Sequence, residues 1–247
     1  MTEAADILFK PYEDTGAGIE WLEETFIPQS MIFYAQLMPV VYQCALSIRG
    51  AEPLKIADIG AAHGAGSNFI HNMLNNLLGV ASEITAFEMQ PRYKRYADAK
   101  FPAIRFKTVD FFDDADRYDM VVSSHTLEHM ADPRAFVSRV MDRVHCAVFY
   151  VLYREQKLIP GHVVSFDDEL ILSMPGFVWG RVFKSVGWRT EQDARVAAFV
   201  CAKPLDPDAA KKLAETLDSE FAGSPVIRRG LADRLAAFMP RALRRTA

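Results

Sequence analysis

KIADIGAAHGAGS, residues 55–67, decides how this chain is read. A short apolar run closes on an acid, Asp58, and three glycines follow within seven residues, Gly60, Gly64 and Gly66. Glycines permit backbone angles closed to other residues and let a ligand come close to the main chain. A strand, a tight turn and then a helix begin a βαβ unit. In open α/β sheets this first turn lies at the crevice beyond the strand ends, where ligands bind. A tight strand–helix connection with no ligand is the competing reading.

The pattern continues on both sides of the turn. SNFIHNMLNNLLG (67–79) has helical spacing and closes on Gly79. EITAFEM (83–89), IRFKTVD (104–110), YDMVVSS (118–124) and AVFYVLY (147–153) read as strands. PRYKRYADAKF (91–101) and ADPRAFVSRVMDRV (131–144) read as the intervening helices, the second with Asp132 as N-cap and Pro133 in its first turn. Such alternation makes right-handed βαβ units and a parallel sheet. FDDELILSMPG and VWGRVFKSVG (166–187) read as helical. WRTEQD and ARVAAFVCAKP (188–204) follow as a closing pair of strands with no helix between them, an antiparallel hairpin. Upstream, residues 18–49 are helical with breaks at Pro28 and Pro39, and Trp21 to Tyr42 is rich in aromatics and methionine. This gives an N-terminal helical cap (1–50), a core (51–204) and a helical C-terminal tail (205–247) beyond Pro204 and Pro207.

Bulk properties narrow the class. The 247 residues suit one α/β domain with additions. A net charge of −4 gives no global attraction to nucleic acid, and the core has no basic stripe interleaved with aromatics. Cys44, Cys146 and Cys201 are odd in number and far apart in sequence, so neither a disulfide framework nor a cysteine zinc knuckle is expected, and a reducing compartment fits. MTEAADILFK has no basic segment leading an apolar one, so no secretory signal is expected. The run CAVFYVLY (146–153) is too short for a membrane span of about 20 residues. A cytoplasmic protein is expected.

The turn also constrains the ligand. A P-loop needs Gly-Lys-Ser/Thr, and no lysine is present. A dinucleotide fingerprint starting at Gly64-x-Gly66 would need glycine where Phe69 stands. What remains is Asp58 closing strand one, the turn itself, and Glu88 closing strand two, 22 residues after Gly66. A carboxylate at that second position can accept hydrogen bonds from both hydroxyls of a ribose. Asp110, closing strand three, can accept from an adenine amino group, with Phe111 against the ring face.

DIGAAHG (58–64), FEM (87–89), VDF (109–111) and YDMVVSSHTLEHMADP (118–133), in this order at strand ends, resemble the class I S-adenosylmethionine (SAM)-dependent methyltransferases. The resemblance covers roughly residues 51–204. It implies an α/β, Rossmann-like fold: a seven-stranded, mostly parallel sheet with one antiparallel strand, helices on both faces and an N-terminal helical cap. It implies SAM as cofactor, held by Asp58, Gly60, Ala62, Gly64, Glu88, Met89, Asp110, Phe111 and Ser124. Ala62 stands where the family usually has glycine, and its small size is expected to do little harm.

SSHTLEHMADP (123–133) carries His125, Glu128 and His129 as H-x-x-E-H. Alone, that is the order of inverted zinc metallopeptidases. Here it follows a strand and the cofactor turns, so it sits on the rim where a methyl group would face its acceptor. Three readings stay open: pocket lining, a general base from His125, His129 or His162, and a divalent metal site. Two groups within the family, the coenzyme Q-pathway O-methyltransferases and the small-RNA 2′-O-methyltransferases, carry E-x-x-E-H here. That resemblance implies a cluster of His125, Glu128, His129 and His162 around Zn, Fe, Mn, Ni or Mg. His63, in the turn, is either a cofactor contact or a solvated residue; His71 is structural; Asp167 and Asp168 start a helix.

The expected reaction is O-methylation of a small-molecule or glycan acceptor. The alternatives are an NAD(P)-dependent oxidoreductase and a non-catalytic subunit of the same fold recruited through its tail. That tail, RRGLADRLAAFMPRALRRTA (228–247), carries a local charge of +5 and gathers Leu231, Leu235, Phe238 and Met239 on one face. It reads either as an interfacial helix on anionic lipid at the inner membrane face, or as a helix docked on the core or a partner subunit.

Overall fold

The computed structural model describes residues 22–185, 194–203, 207–223 and 227. Seven strands form one sheet: β1 (Leu54–Ile59), β2 (Ser82–Phe87), β3 (Arg105–Lys107), β4 (Met120–Ser124), β5 (Cys146–Leu152), β6 (Phe177–Lys184) and β7 (Arg195–Ala202), in spatial order 3-2-1-4-5-7-6. β7 runs antiparallel to β5 and β6, and every other pair is parallel. Strand order reverses between β1 and β4, which pair from Ile56 to Met120 through Asp58 to Val122. That switch point opens a crevice at the carboxyl ends of these two strands.

β5 shows why the centre of the sheet reads as an unbroken apolar run. Cys146, Val148, Tyr150 and Leu152 enter one buried layer; Ala147, Phe149 and Val151 enter the other. The first layer is covered by α1 (Ile27–Ile48), α2 (Ala65–Asn72), α3 (Arg92–Lys100) and α6 (Pro207–Glu220), the second by α4 (Pro133–Arg143) and α5 (Asp168–Leu172). α4 and α5 start where their caps stand: Asp132 accepts from Ala135 N (3.0 Å) and Asp167 from Leu170 N (2.9 Å). Cys44, Cys146 and Cys201 are all free and buried.

Two expectations are corrected. Pro28 lies in the first turn of α1, but Pro39 does not break that helix, which runs on to Ile48. An internal proline costs roughly 3 kcal/mol, and the burial of Leu37, Val40, Val41, Cys44 and Ala45 against the sheet offsets it. Glu23–Ile48 is also long and apolar enough to cross a membrane, at mean hydropathy 1.4. Its apolar face lies on the sheet instead. VWGRVFKSVG, expected to be helical, belongs largely to strand β6. Trp179 faces one core layer and Val182 the other, an alternation that ten residues cannot separate from helical spacing. The described closing hairpin is β6 with β7; WRTEQD (188–193), expected as its first strand, lies outside the described residues, as do 186 and 187. So do the tail from 228 onward and Trp21 with the residues before it.

Candidate active site

The turn after β1 is held from three directions. Asp58 is wholly buried, and its carboxylate accepts from Tyr34 Oη of α1 (2.7 Å) and Ser67 Oγ of α2 (2.6 Å). Burial pushes its pKa up to about 6, against the lowering effect of those two bonds. Both oxygens are thus engaged by the protein, and Asp58 shapes the turn instead of facing the crevice. Gly60 has φ +76° and a Cβ there would collide with Thr126 Oγ1, so the strand-four loop seats directly on the turn. Gly66 lets the Tyr34 ring of α1 pack against the start of α2, where a Cβ would overlap the ring. His63 is not a solvated turn residue. It is fully buried, edge-on to Phe26 of the N-terminal helical segment (5.0 Å), and its Nδ1 accepts from Ala65 N (3.2 Å). Burial drives its pKa down to about 4, a main-chain bond to Phe26 opposing.

Ala62 is strained, because its φ is +47°. The departure from glycine matters through backbone angle rather than through size. A non-glycine residue in the left-handed region costs about 1–3 kcal/mol, and glycine returns roughly 0.4–1 kcal/mol of that through the unfolded chain. Ala62→Gly is therefore expected to stabilise the protein by about 1 kcal/mol and raise Tm by roughly 2–4 °C. A melting scan showing no rise would mean that the strain is absent.

Glu88 reaches across the turn from the end of β2. Its Oε2 accepts from Ala62 N (3.1 Å) and its Oε1 from Gln90 N (2.9 Å), while burial raises its pKa above the ordinary carboxylate range. Next to it Met89 is 70% exposed, leaving an apolar side chain beside the crevice. Asp110 accepts from Phe112 N (2.8 Å) through Oδ1. Phe111 departs from expectation: its ring is buried, packed at 5.3 Å on Phe87 and 5.4 Å on Phe112. It is a core residue and offers no face to an adenine. Val109, 44% exposed, is the apolar side chain left at the surface there.

The strand-four rim holds two histidine–carboxylate pairs. His125 has φ +53° and directs Nδ1 to Glu128 Oε1 (3.2 Å), which also accepts from Leu152 N (2.7 Å). Burial alone would raise the Glu128 carboxyl, but the His125 bond and charge and the Leu152 N–H outweigh it and hold it below its ordinary value. An ionised carboxylate only accepts, so His125 carries a proton on Nδ1. Phe33 of α1 packs on the His125 ring at 4.3 Å. Glu128 Oε2 and Ser124 Oγ are buried on this rim without a hydrogen-bond partner. The second pair joins His162 Nδ1 to Glu155 Oε2 (2.8 Å), both side chains 3% exposed. Glu155 Oε1 also accepts from Ile159 N (2.8 Å), and Ile159 O accepts from His162 N (3.0 Å). Exposed His129 donates from Nδ1 to Gly161 O (2.8 Å) and lies edge-on to His162 at 4.9 Å.

The expected metal quartet does not assemble. His125 and Glu128 bond to each other under Phe33, while His129 meets His162 on the neighbouring loop. Among the described residues no group of three or more histidine, cysteine, aspartate or glutamate side chains is placed to hold a metal. Nothing in the sequence pointed to Glu155, because its partner His162 is seven residues away across an irregular loop with no periodic signal.

No protein-family model and no curated protein matches the sequence. Solved structures do match in shape. The plantazolicin methyltransferase BpumL in complex with SAH aligns over 79% of this chain and 94% of its own, at 11% identity and a TM-score of 0.53. The CMeT domain of the citrinin polyketide synthase aligns over 81% of this chain and 60% of its own, at 16% identity and 0.56. Coclaurine N-methyltransferase bound to N-methylheliamine and SAH aligns over 68% and 73%, at 10% identity and 0.52. The fold is that of the class I SAM-dependent methyltransferases.

Proposed function

We propose that this chain is a SAM-dependent methyltransferase that methylates a hydroxyl oxygen of a small or carbohydrate-like acceptor. The observation that carries the reading is the crevice at the β1/β4 switch point. There the turn 60–64 and the Glu88 carboxylate face a rim of Ser124, His125 and Glu128. These residues fit SAM. Glu88 is placed to exchange its bonds to main-chain N–H groups for ribose hydroxyls, Met89 supplies an apolar surface for the base, and Asp110 retains Oδ2 for an amino group. When bound, SAM supplies an electrophilic methyl on its sulfonium.

The protein's own task is alignment and proton removal. His125 Nε2 takes the hydroxyl proton as the methyl transfers, and Glu128 holds the ring in that tautomer and stabilises the imidazolium that forms. Glu128 Oε2 and Ser124 Oγ, buried without partners, make the rim polar, which suits a hydroxylated acceptor. Phe33 closes over His125 and excludes water. His162, held by Glu155, is the second imidazole of the rim and lies edge-on to exposed His129. Because the histidines form separate pairs, no step is assigned to a metal.

Calorimetry with SAH (the demethylated product of SAM), SAM and NAD(H) tests the cofactor, and labelled methyl transfer to a panel of polyols and phenols tests the reaction. SAH and SAM are expected to bind, NAD(H) is not, and label is expected on oxygen. Binding of NAD(H) in place of SAM would overturn the reading in favour of an oxidoreductase. Label on nitrogen or carbon alone would overturn the assignment to oxygen.

A further inference from the structure

We propose that Arg143 is a positioning residue that sets the preference of the cofactor crevice for adenine; this rests on the cofactor reading above. Arg143 is the last residue of α4, far from the crevice in sequence. Its guanidinium donates to Phe111 O (2.5 Å), to Asp114 O and to Asp116 O (3.3 Å), and lies 4.8 Å from the centre of the Phe111 ring. Three main-chain carbonyls within six residues thus share one cation. The segment from Asp110 to Tyr118 contains only one short 3-10 turn (Phe111–Asp113), so side chains must supply most of its order. On its other side, Lys107 bonds Asp114 (2.6 Å) and Asp116 (2.7 Å), and Tyr118 Oη donates to Asp114 (2.7 Å).

The consequence runs through one short chain of contacts. Arg143 fixes the main chain at 111–116. That places Phe112 N, which in turn holds Asp110 Oδ1. Asp110 Oδ2 is then the remaining acceptor at the end of β3, matched to the exocyclic amino group of adenine and mismatched to the carbonyl of hypoxanthine. Only a planar fork with five N–H donors can serve three carbonyls while stacking on a ring, so lysine cannot replace it.

The test is calorimetry on the full chain with SAH, adenosine and inosine. Wild type is expected to prefer adenosine to inosine. Arg143→Lys is expected to weaken SAH and adenosine about ten-fold and inosine hardly at all, so the preference collapses. Arg139→Lys, whose guanidinium stacks on Phe112 at 3.7 Å, is expected to leave all three unchanged. Asp110→Asn keeps every Arg143 bond and puts an amide donor at the base edge, so it is expected to turn the preference toward inosine; it carries the test if Arg143→Lys does not fold. A wild-type preference retained in either variant would overturn the proposal, as would the lack of any preference in wild type that binds SAH. Failure of wild type to bind SAH would instead remove the cofactor reading itself.

Discussion

Glu128→Gln is expected to cut methyl transfer by on the order of 10–10²-fold while leaving the protein at least as stable as wild type. The two effects separate because Glu128 has two roles. As a fully buried, ionised carboxylate with one oxygen lacking a partner, it carries a desolvation cost that a neutral amide does not. The amide oxygen of the variant, at the Oε1 position, can still accept from both Leu152 N and His125 Nδ1. It carries no charge, however, so it no longer stabilises the imidazolium that forms as His125 takes the proton. The measurement pairs labelled-methyl turnover on the acceptor with a thermal melt and calorimetry for SAM. Expected are a fall in kcat, a SAM affinity within about three-fold, and an unchanged or raised Tm. A variant that turns over at the wild-type rate would show that His125 is not the base. One that loses Tm and activity together would show that Glu128 is merely structural.

The second large effect is hidden in the wild-type protein. Asp58 and His63 sit five residues apart on one turn, and burial shifts both, in opposite directions. The folded-state pKa of Asp58 is about 6, above its unfolded value of 3.8. The folded state therefore holds the extra proton between these values, and the contribution of Asp58 to stability falls as pH rises from about 4 to 6. The folded-state pKa of His63 is about 4, below its unfolded value of 6.5. Here the unfolded state holds the extra proton, and the contribution of His63 rises over the same window. Between pH 4.5 and 6.5 each contribution changes by about 2 kcal/mol, and the two nearly cancel. Single variants unmask them. Asp58→Asn is expected to gain about 2 kcal/mol relative to wild type from pH 4.5 to 6.5, and His63→Asn to lose about the same. Glu88, also raised by burial, adds its charge to the raising of Asp58, so Asp58→Asn relieves Glu88 as well, whereas His63→Asn reads one group. Denaturant titrations at a series of pH values read this directly. Parallel stability profiles for all three proteins would show that neither group is desolvated by the fold.

How much of this was legible in the residues can be followed position by position. Asp132 and Asp167 begin helices because a short acceptor side chain before an apolar periodic run acts locally. Gly60 reads correctly as a turn residue, although its closest contact, Thr126, is 66 residues away. Ala62 illustrates the limit: sequence suggests a size question, and the backbone makes it an angle question. Phe111 looks like a ring for adenine beside Asp110, yet Phe87, Phe112 and Tyr118 claim it for the core. VWGRVFKSVG has no decisive period, and β7, which pairs with it as far as Lys184, makes that part a strand.

The fold class follows from sequence alone, because it depends on short-range order: apolar period, caps, and turns between strand and helix. The chemistry of the rim does not. H-x-x-E-H brings three polar groups within five residues, but which nitrogen or oxygen each one meets depends on elements far away: Phe33 on α1, Leu152 at the end of β5, Glu155 and Gly161 on the loop beyond. Their packing divides the expected quartet into one hydrogen-bonded pair, His125 with Glu128, and one edge-on contact, His129 with His162, whose hydrogen bond goes to Glu155. A hydrogen bond is directional and acts over about 3 Å, so the partners of a buried side chain are chosen by tertiary structure and not by spacing along the chain.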